Sequence, residues 1–163
     1  MKTIFSIYLF ALCCLIGIEI ALGALVAPTI FFPQKLIGDG VLTQFQSGQI
    51  MTTIFLKYNS IAMGIAIFSF IFEMVNLNNN KNQTFNIKFS MLMLSLINLI
   101  LTILFVLVFS DYIVEAQKMG ENATKTQEFL QIHNASEWCM KLIIVAQTVL
   151  FFIKFTKTKF ENS

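Results

Sequence analysis

The sequence predicts an all-α integral membrane protein, folded as a bundle of four transmembrane helices. Hydrophobic residues make up 56% of the 163-residue chain and charged residues 12%, about half the charged share of a soluble domain. A soluble protein of this size could not bury so much apolar surface. Four apolar stretches have about the length that a helix needs to cross a bilayer, which is roughly 20 residues. They lie at about residues 4–27, 58–77, 89–110 and 138–155, and we call them spans one to four. Each must be helical, because lipid offers no partner to an unpaired backbone amide.

Span one resembles a secretory signal peptide in one respect, since Lys2 precedes its apolar run. The run is longer than the apolar region of a signal peptide, and Ala21-Leu22-Gly23 matches a cleavage site only loosely. We therefore expect span one to be retained, and residues 1–163 to form a single membrane domain.

The segment before span two is amphipathic. Its apolar residues, among them Phe45, Met51 and Phe55, recur near helical spacing. We expect an amphipathic helix over residues 41–57 that lies on the outer membrane interface. Pro28 lacks the amide hydrogen that a continuing helix needs, so we expect span one to end there.

The segment before span four predicts a helical outer loop. Residues 111–119 continue the pattern of span three past the membrane, and Gly120 breaks it. Thr124 and Gln127 have the spacing of a capping box, which predicts a short helix running to His133. A similar spacing at Asn134 predicts a separate start for span four.

The orientation of the bundle is predicted from its lysines, because the chain has no arginine. With four spans, one side of the membrane receives Lys2, Lys81, Lys88, Lys154, Lys157 and Lys159. The other side receives Lys35, Lys57, Lys118, Lys125 and Lys141. The cluster directly after span four weighs most under the positive-inside rule. We expect both termini in the cytoplasm and a location in the cell membrane, the inner membrane if the source is a Gram-negative bacterium. The net charge of +2 does not indicate a nucleic-acid partner.

Polar residues inside the spans are the sharpest features of the sequence. At 1.5 Å per residue, Glu19 lies about 12 Å below the outer end of its span, Asn98 about 18 Å and Gln147 about 14 Å. The three side chains can therefore meet in the outer half of the bundle. Lys141 enters the same region from above and could pair with Glu19. Intramembrane carboxylates face the bundle interior or water.

Two interpretations of this cluster of Glu19, Asn98, Gln147 and Lys141 stay open. It could be a polar pocket centred on Glu19, or a structural clasp that holds four helices in register. His133, the only histidine, lies near the mouth of the predicted pocket and is expected to be structural, because a metal would need further ligands. We expect no catalytic residue, cofactor or metal site.

The order of several short motifs resembles the TMEM205-like family, also described as the DUF4149 domain. The motifs are Gly17-Ile-Glu-Ile-Ala-Leu-Gly23, Ala27-Pro28-Thr-Ile-Phe31-Phe32, Phe55-Leu-Lys-Tyr58, Asn98, and Phe129-Leu-Gln-Ile-His133. The positions most like the family are Gly23, Pro28, Tyr58 and His133. The resemblance implies a small four-span membrane protein and brings little mechanism with it.

Three functions remain as hypotheses. The favoured one is a non-enzymatic accessory or scaffold component, with the lipid bilayer and either a second copy or other membrane proteins as partners. The first alternative is a transporter or export modulator for a small solute, acting as a homo-oligomer because four spans make a narrow bundle. The second is a membrane oxidoreductase with haem or quinone. Membrane proteins of similar four-span fold that handle haem depend on histidines inside their spans, and this chain has none there.

Overall fold

The computed structural model describes the backbone of residues 2–34, 38, 40–79 and 84–161. Side chains are described over the same ranges, except at residues 2, 79 and 157–161. Within these residues the chain is helical apart from its turns, and four helices are long and apolar enough to cross a membrane. The predicted fold class, an all-α bundle with four membrane-spanning helices, is confirmed.

The four helices run antiparallel, each to the next. The first helix consists of Lys2–Ala21, a π-helical turn at Leu22–Val26, and Ala27–Phe31, and the second helix is Gln44–Asn79. The third helix consists of Phe85–Leu104, a π-helical turn at Phe105–Phe109, and Ser110–Lys118, and the fourth helix is Gln127–Glu161. We call the end of the bundle that carries residues 2 and 161 the terminal end. The opposite end, with the connections before the second and fourth helices, is the loop end.

The helices extend beyond the predicted spans at the loop end. The second helix has 36 residues and the fourth has 35, which at 1.5 Å per residue is about 54 Å and about 53 Å. The hydrocarbon core of a bilayer is roughly 30 Å thick. The loop end of the bundle therefore projects past the apolar part of the membrane.

The prediction of a separate interfacial helix over residues 41–57 is wrong. That segment is helical from Gln44, but it continues without a break into span two. Its inward side is covered by protein rather than by the membrane surface: the Ser47 hydroxyl donates to the Ile30 carbonyl at 2.8 Å, and Gln117 Nε2 donates to Thr52 Oγ1 at 3.0 Å. The loop-end parts of the first and third helices thus provide the surface on which this segment packs, in line with the rest of the second helix.

The prediction of two separate helices on either side of Asn134 is also wrong. A single helix runs from Gln127 to Glu161, and its first turn is capped by Thr126, whose Oγ1 accepts a hydrogen bond from the Phe129 amide at 3.2 Å. Thr124 lies instead in a 3₁₀ turn. The predicted break at Gly120 is confirmed, since its φ of 103° is a conformation that favours glycine.

Pro28 does not end the first helix, contrary to the prediction. The π-helical turn directly before it lets the Ala27 amide bond to the Leu22 carbonyl, five residues back. Such a widened turn accommodates a residue that has no amide hydrogen of its own. The helix continues to Phe31, and the Phe32 amide bonds to the Pro28 carbonyl at 3.0 Å. The third helix continues to Lys118, as predicted, through a π-helical turn whose Phe105 carbonyl accepts from the Ser110 hydroxyl at 2.9 Å.

The bundle has two apolar cores, one above the other. The core near the terminal end is built from Tyr8, Leu12, Met91 and Leu150. The core toward the loop end is built from Leu15, Leu22, Met51, Tyr58, Ala62, Phe105, Cys139 and Ile143. Large apolar side chains elsewhere on the helices, such as Phe10, Val145 and Phe152, are exposed on the bundle surface, as expected where lipid is the neighbour.

The lysines used to predict orientation are only partly described. Lys35 and Lys81 lie outside the described residues, as do the side chains of Lys2, Lys157 and Lys159. The structure places residues 2 and 161 at the same end of the bundle, which agrees with an even number of spans.

Candidate functional site

The Glu19 carboxylate lies inside the bundle, where side chains from all four helices meet. Its Oε1 accepts hydrogen bonds from the Tyr58 hydroxyl at 2.5 Å and from Gln147 Nε2 at 3.1 Å. The same Gln147 nitrogen lies 3.5 Å from Asn98 Oδ1. Glu19 comes from the first helix, Tyr58 from the second, Asn98 from the third and Gln147 from the fourth. We call these four residues the Glu19 group, and none of their side chains is more than 4% exposed.

Three of the seven side-chain polar atoms in this group have no hydrogen-bond partner among the described residues. Among the described residues, Glu19 Oε2, Asn98 Nδ2 and Gln147 Oε1 are buried without a hydrogen bond. A buried polar atom without a partner is costly, at about 1–3 kcal/mol. The group therefore offers two acceptors and one donor to a bound molecule.

Lys141 does not join the group. Its Nζ lies 3.6 Å from Glu137 Oε2 and 4.9 Å from the centre of the Trp138 ring, and its side chain is 57% exposed. Lys141 and Gln147 are six residues apart, which is about 240° around a helix, so they project from different sides of it. The predicted pairing of Lys141 with Glu19 is wrong, because Lys141 pairs with Glu137 on its own helix instead.

A cavity of about 720 Å³ extends from Glu19 toward the loop end, between all four helices. Its walls are mostly apolar, and a set of aromatic side chains lines them: Phe31, Phe45, Phe55, Phe105, Phe109 and Phe129. The rings of Phe55 and Phe105 meet edge to face with their centres 5.8 Å apart. The cavity is thus an apolar chamber with a carboxylate at its base.

The charges at the rim of the cavity balance one another. Lys125 pairs with Glu121 at 2.7 Å, and Lys141 pairs with Glu137 at 3.6 Å. His133 lies beside Glu137, with its Nε2 3.5 Å from Glu137 Oε1, and its ring stacks on Phe129. The structure places His133 at the mouth of the cavity.

Three of the family-like positions contact the cavity or its base. Gly23 lines the cavity, Tyr58 bonds to Glu19, and His133 lies at the rim. Pro28 lines an adjoining groove of about 590 Å³, which shares Gly23 and His133 with the cavity, so the two spaces meet between the first and fourth helices. A Cβ added at Gly23 would meet no atom within 4 Å.

Sequence reasoning missed the role of Tyr58. Span two was predicted to begin at this residue, and Tyr58 was not included in the predicted polar cluster. The helix begins at Gln44 instead, which places Tyr58 inside the bundle. A buried tyrosine hydroxyl needs a partner, and Glu19 is the nearest carboxylate that the fold supplies.

A second buried polar cluster, near the terminal end, was also missed. Lys154 Nζ lies 2.8 Å from Glu73 Oε2, with the side chains 3% and 0% exposed. The same ammonium lies over the rings of Phe72 and Tyr8, at 5.1 and 5.9 Å from their centres. Lys154 was interpreted as part of a cationic tail at the membrane surface; that is wrong, because Glu73 holds it inside the bundle.

The described residues contain no group of three or more His, Cys, Asp and Glu side chains that could hold a metal ion. Cys139, the buried cysteine among them, directs its Sγ to the Leu101 carbonyl at 3.4 Å.

A family model described as "Domain of unknown function (DUF4149)" matches residues 10–122. The chain belongs to this DUF4149 family. The match covers Glu19, Tyr58 and Asn98, while the Gln147 part of the group lies beyond it. The resemblance to DUF4149 is confirmed, and the TMEM205-like name stays a resemblance. No curated protein and no solved structure matches the chain.

Proposed function

We propose that this DUF4149 protein binds a small amphipathic molecule inside the membrane, with the polar end of the molecule against Glu19 and its apolar part in the chamber above. The observation that carries the proposal is that the cavity ends at Glu19, whose Oε2 has no partner among the described residues. A ligand with a hydrogen-bond donor at one end would satisfy that atom.

The size and the chemistry of the cavity support this function. Small-molecule sites are clefts of about 300–1,000 Å³ with mostly apolar walls and a few convergent polar groups. The cavity has about 720 Å³, and its polar base is the Glu19 group. It therefore fits a ligand with one polar end and one or two rings or a short chain.

A structural clasp would explain only part of the Glu19 group. The bonds from Tyr58 and Gln147 both go to Oε1, so they account for one oxygen of the carboxylate. A clasp needs neither a second buried oxygen without a partner nor a chamber beside it. Clasp and binding site coexist in our proposal: the bonds to Oε1 hold the carboxylate still, and Oε2 meets the ligand.

Ligand binding fits two of the functions that were hypothesised from the sequence, an accessory component and a transporter, and it ranks them. A non-enzymatic accessory component that senses or presents a ligand needs only the cavity. A transporter would in addition have to open the terminal end of the bundle. In this conformation that end is closed by the Glu73–Lys154 pair and by the apolar core near the terminal end. We therefore propose ligand binding as the molecular function and keep transport as the second candidate, with a homo-oligomer as its working form.

We also propose that both termini lie in the cytoplasm of a cell-membrane protein, with the cavity opening on the outer half of the bilayer. Lys154 is buried against Glu73, but Lys157 and Lys159, which follow span four in the sequence, support this orientation under the positive-inside rule. Fusions of a reporter that is active only in the cytoplasm, placed after residue 163 and within residues 121–126, would test it. We expect activity from the first fusion alone; activity from the second alone would reverse the orientation.

The binding proposal is tested by filling the cavity from Gly23. Glycines at 17 and 23 are both exposed in the first helix, and a Cβ at either meets no atom within 4 Å, but only Gly23 lines the cavity. Gly23→Phe should block the chamber, and Gly17→Phe is its matched control. The probe is para-fluorophenylbutanol, followed by fluorine NMR with the protein in lipid nanodiscs and with empty nanodiscs as background.

We expect a bound signal in the wild-type protein and in Gly17→Phe, and a loss of at least tenfold in affinity in Gly23→Phe. Equal binding in all three proteins, or no binding in the wild type beyond that of empty nanodiscs, would overturn the proposal.

A further inference from the structure

We infer that the polar end of the ligand is positively charged, so that the occupant is a hydrophobic organic cation such as an aryl-alkyl ammonium. This inference rests on the proposed function and names the chemical class that the site recognises. Its basis is the juxtaposition of a carboxylate without a counter-charge and a chamber of aromatic walls.

The charges of the described residues support a missing cation at Glu19. Two carboxylates are fully buried in the described part of the bundle, Glu19 and Glu73. Glu73 has Lys154 at 2.8 Å. Glu19 has only the neutral donors of Tyr58 and Gln147. The fold thus neutralises one of its two buried carboxylates internally and leaves the other without a basic partner.

The other acidic residues along the cavity do not share this property. Glu121 pairs with Lys125 and Glu137 with Lys141, so the rim adds no net charge that would attract a cation by itself. The carboxylate without a counter-charge, that of Glu19 with its unpartnered Oε2, lies at the base of the cavity. A cation that enters the chamber therefore finds its counter-charge only at the deepest point, which fixes the orientation of the ligand.

Removal of a carboxylate from water is expensive unless a charge and hydrogen bonds compensate for it. An ammonium group supplies both, because it donates charge-assisted hydrogen bonds, which are about twice as strong as neutral ones. A neutral alcohol supplies the hydrogen bond alone. The environment of Glu19 should therefore discriminate between two ligands that differ only in this group.

The walls of the chamber favour the same class of ligand. Cations are attracted to the faces of aromatic rings within about 6 Å, and six phenylalanines line the cavity. Phe55 and Phe105, which contact each other, border the part of the chamber next to Tyr58 and Glu19. The same arrangement already exists at the other end of the bundle, where the Lys154 ammonium lies over Phe72 and Tyr8.

The test compares para-fluorophenylbutylamine, as its ammonium ion, with the alcohol para-fluorophenylbutanol of nearly equal size. Both are titrated into nanodiscs that hold the wild-type protein, Glu19→Gln, or Gly23→Phe, at neutral lipid composition so that the membrane itself attracts neither probe electrostatically. Glu19→Gln keeps an oxygen for Tyr58 and Gln147, removes the charge and replaces the second acceptor oxygen by an amide NH2 donor.

We expect the ammonium to bind the wild type about tenfold or more tightly than the alcohol, which corresponds to the extra strength of a charge-assisted bond. In Glu19→Gln this preference for the ammonium over the alcohol should be lost. If Glu19→Gln does not fold, the comparison of the two probes on the wild-type protein still tests whether the site prefers a cation.

Equal affinity of both probes for the wild type, or a preference for the ammonium that persists in Glu19→Gln, would overturn the cation proposal. If the alcohol binds as well as the ammonium and Gly23→Phe blocks both, the cavity is a binding site for neutral ligands, so the proposed function stands and this inference falls. If Gly23→Phe leaves the binding of both probes unchanged, the cavity is not the site and both proposals fall.

Discussion

Tyr58 donates its hydroxyl to Glu19 Oε1 at 2.5 Å, and this bond joins the first and second helices at the base of the cavity. The two residues are 39 positions apart in the chain, so the bond exists only in the assembled bundle. Both hydrogen bonds that the protein makes to this carboxylate go to Oε1, and Oε2 is left without a partner among the described residues.

The first prediction concerns this bond. Tyr58→Phe removes the donor, leaves a buried carboxylate oxygen with one partner fewer, and should destabilise the protein by about 1–3 kcal/mol. Reversible unfolding of the purified protein in mixed micelles measures the change. Tyr112→Phe is the control: Tyr112 lies outside the Glu19 group, and its hydroxyl bonds to Glu128 at a site open to water. Because water can replace that bond, this variant should cost clearly less. Equal losses in the two variants would contradict the account.

The second prediction concerns the buried ion pair of Glu73 and Lys154. Loss of one partner leaves an unpaired charge in the bundle, so Lys154→Met alone should destabilise by about 3–5 kcal/mol. The double variant Glu73→Leu with Lys154→Met removes both charges and should recover most of that loss. The same unfolding measurement on both variants tests this. A double variant that is less stable than the single one would show that the pair matters for something other than its charges.

The third prediction concerns the loop-end part of the second helix, which begins at Gln44. Ser47→Ala removes the bond to the Ile30 carbonyl at 2.8 Å and should cost about 1 kcal/mol. Thr53→Ala removes a hydroxyl that bonds only within its own helix, to the Gln49 carbonyl, and serves as the control. Hydrogen exchange of the amides from 44 to 52 should speed up in Ser47→Ala and stay the same in Thr53→Ala. Unchanged exchange in both would mean that this contact does not hold the segment.

The fourth prediction separates Lys141 from the Glu19 group. Lys141 is exposed and pairs with Glu137 on the helix surface, and such pairs contribute about 0–1 kcal/mol. Lys141→Met should therefore leave stability nearly unchanged and should not alter the preference for the ammonium probe. A loss of that preference as complete as in Glu19→Gln would restore the pairing of Lys141 with Glu19.

The spans and the depths of their polar residues were predictable from the sequence, because the apolar stretches are long and the rise per residue of a helix is constant. Those two facts placed Glu19, Asn98 and Gln147 at comparable depth. The direction in which each side chain points depends on helix rotation, and that is why Lys141 was assigned to the same group by depth alone. The rotation is set by packing between helices, which one sequence does not display.

Helix ends and buried pairs were the parts that the sequence did not predict. The second and fourth helices continue through positions that resemble boundaries. The start of the second helix packs on the ends of the first and third helices instead of lying on a membrane, and the start of the fourth packs on the third helix and the 3₁₀ turn before it. Lys154 stands near the end of an apolar stretch, where a lysine usually reaches for the surface. Only the neighbouring Glu73 on another helix decides that it turns inward.

The most direct test of the central claim is to locate a ligand in the cavity. A diazirine-bearing phenylbutylamine would be photolysed with the wild-type protein in nanodiscs, and its adducts mapped by peptide mass spectrometry. We predict adducts at cavity positions such as Leu22, Met51 and Met140, all reduced by Gly23→Phe and by an excess of unlabelled amine. Adducts confined to lipid-facing positions such as Phe10 and Val149, unaffected by either, would contradict a binding site at Glu19.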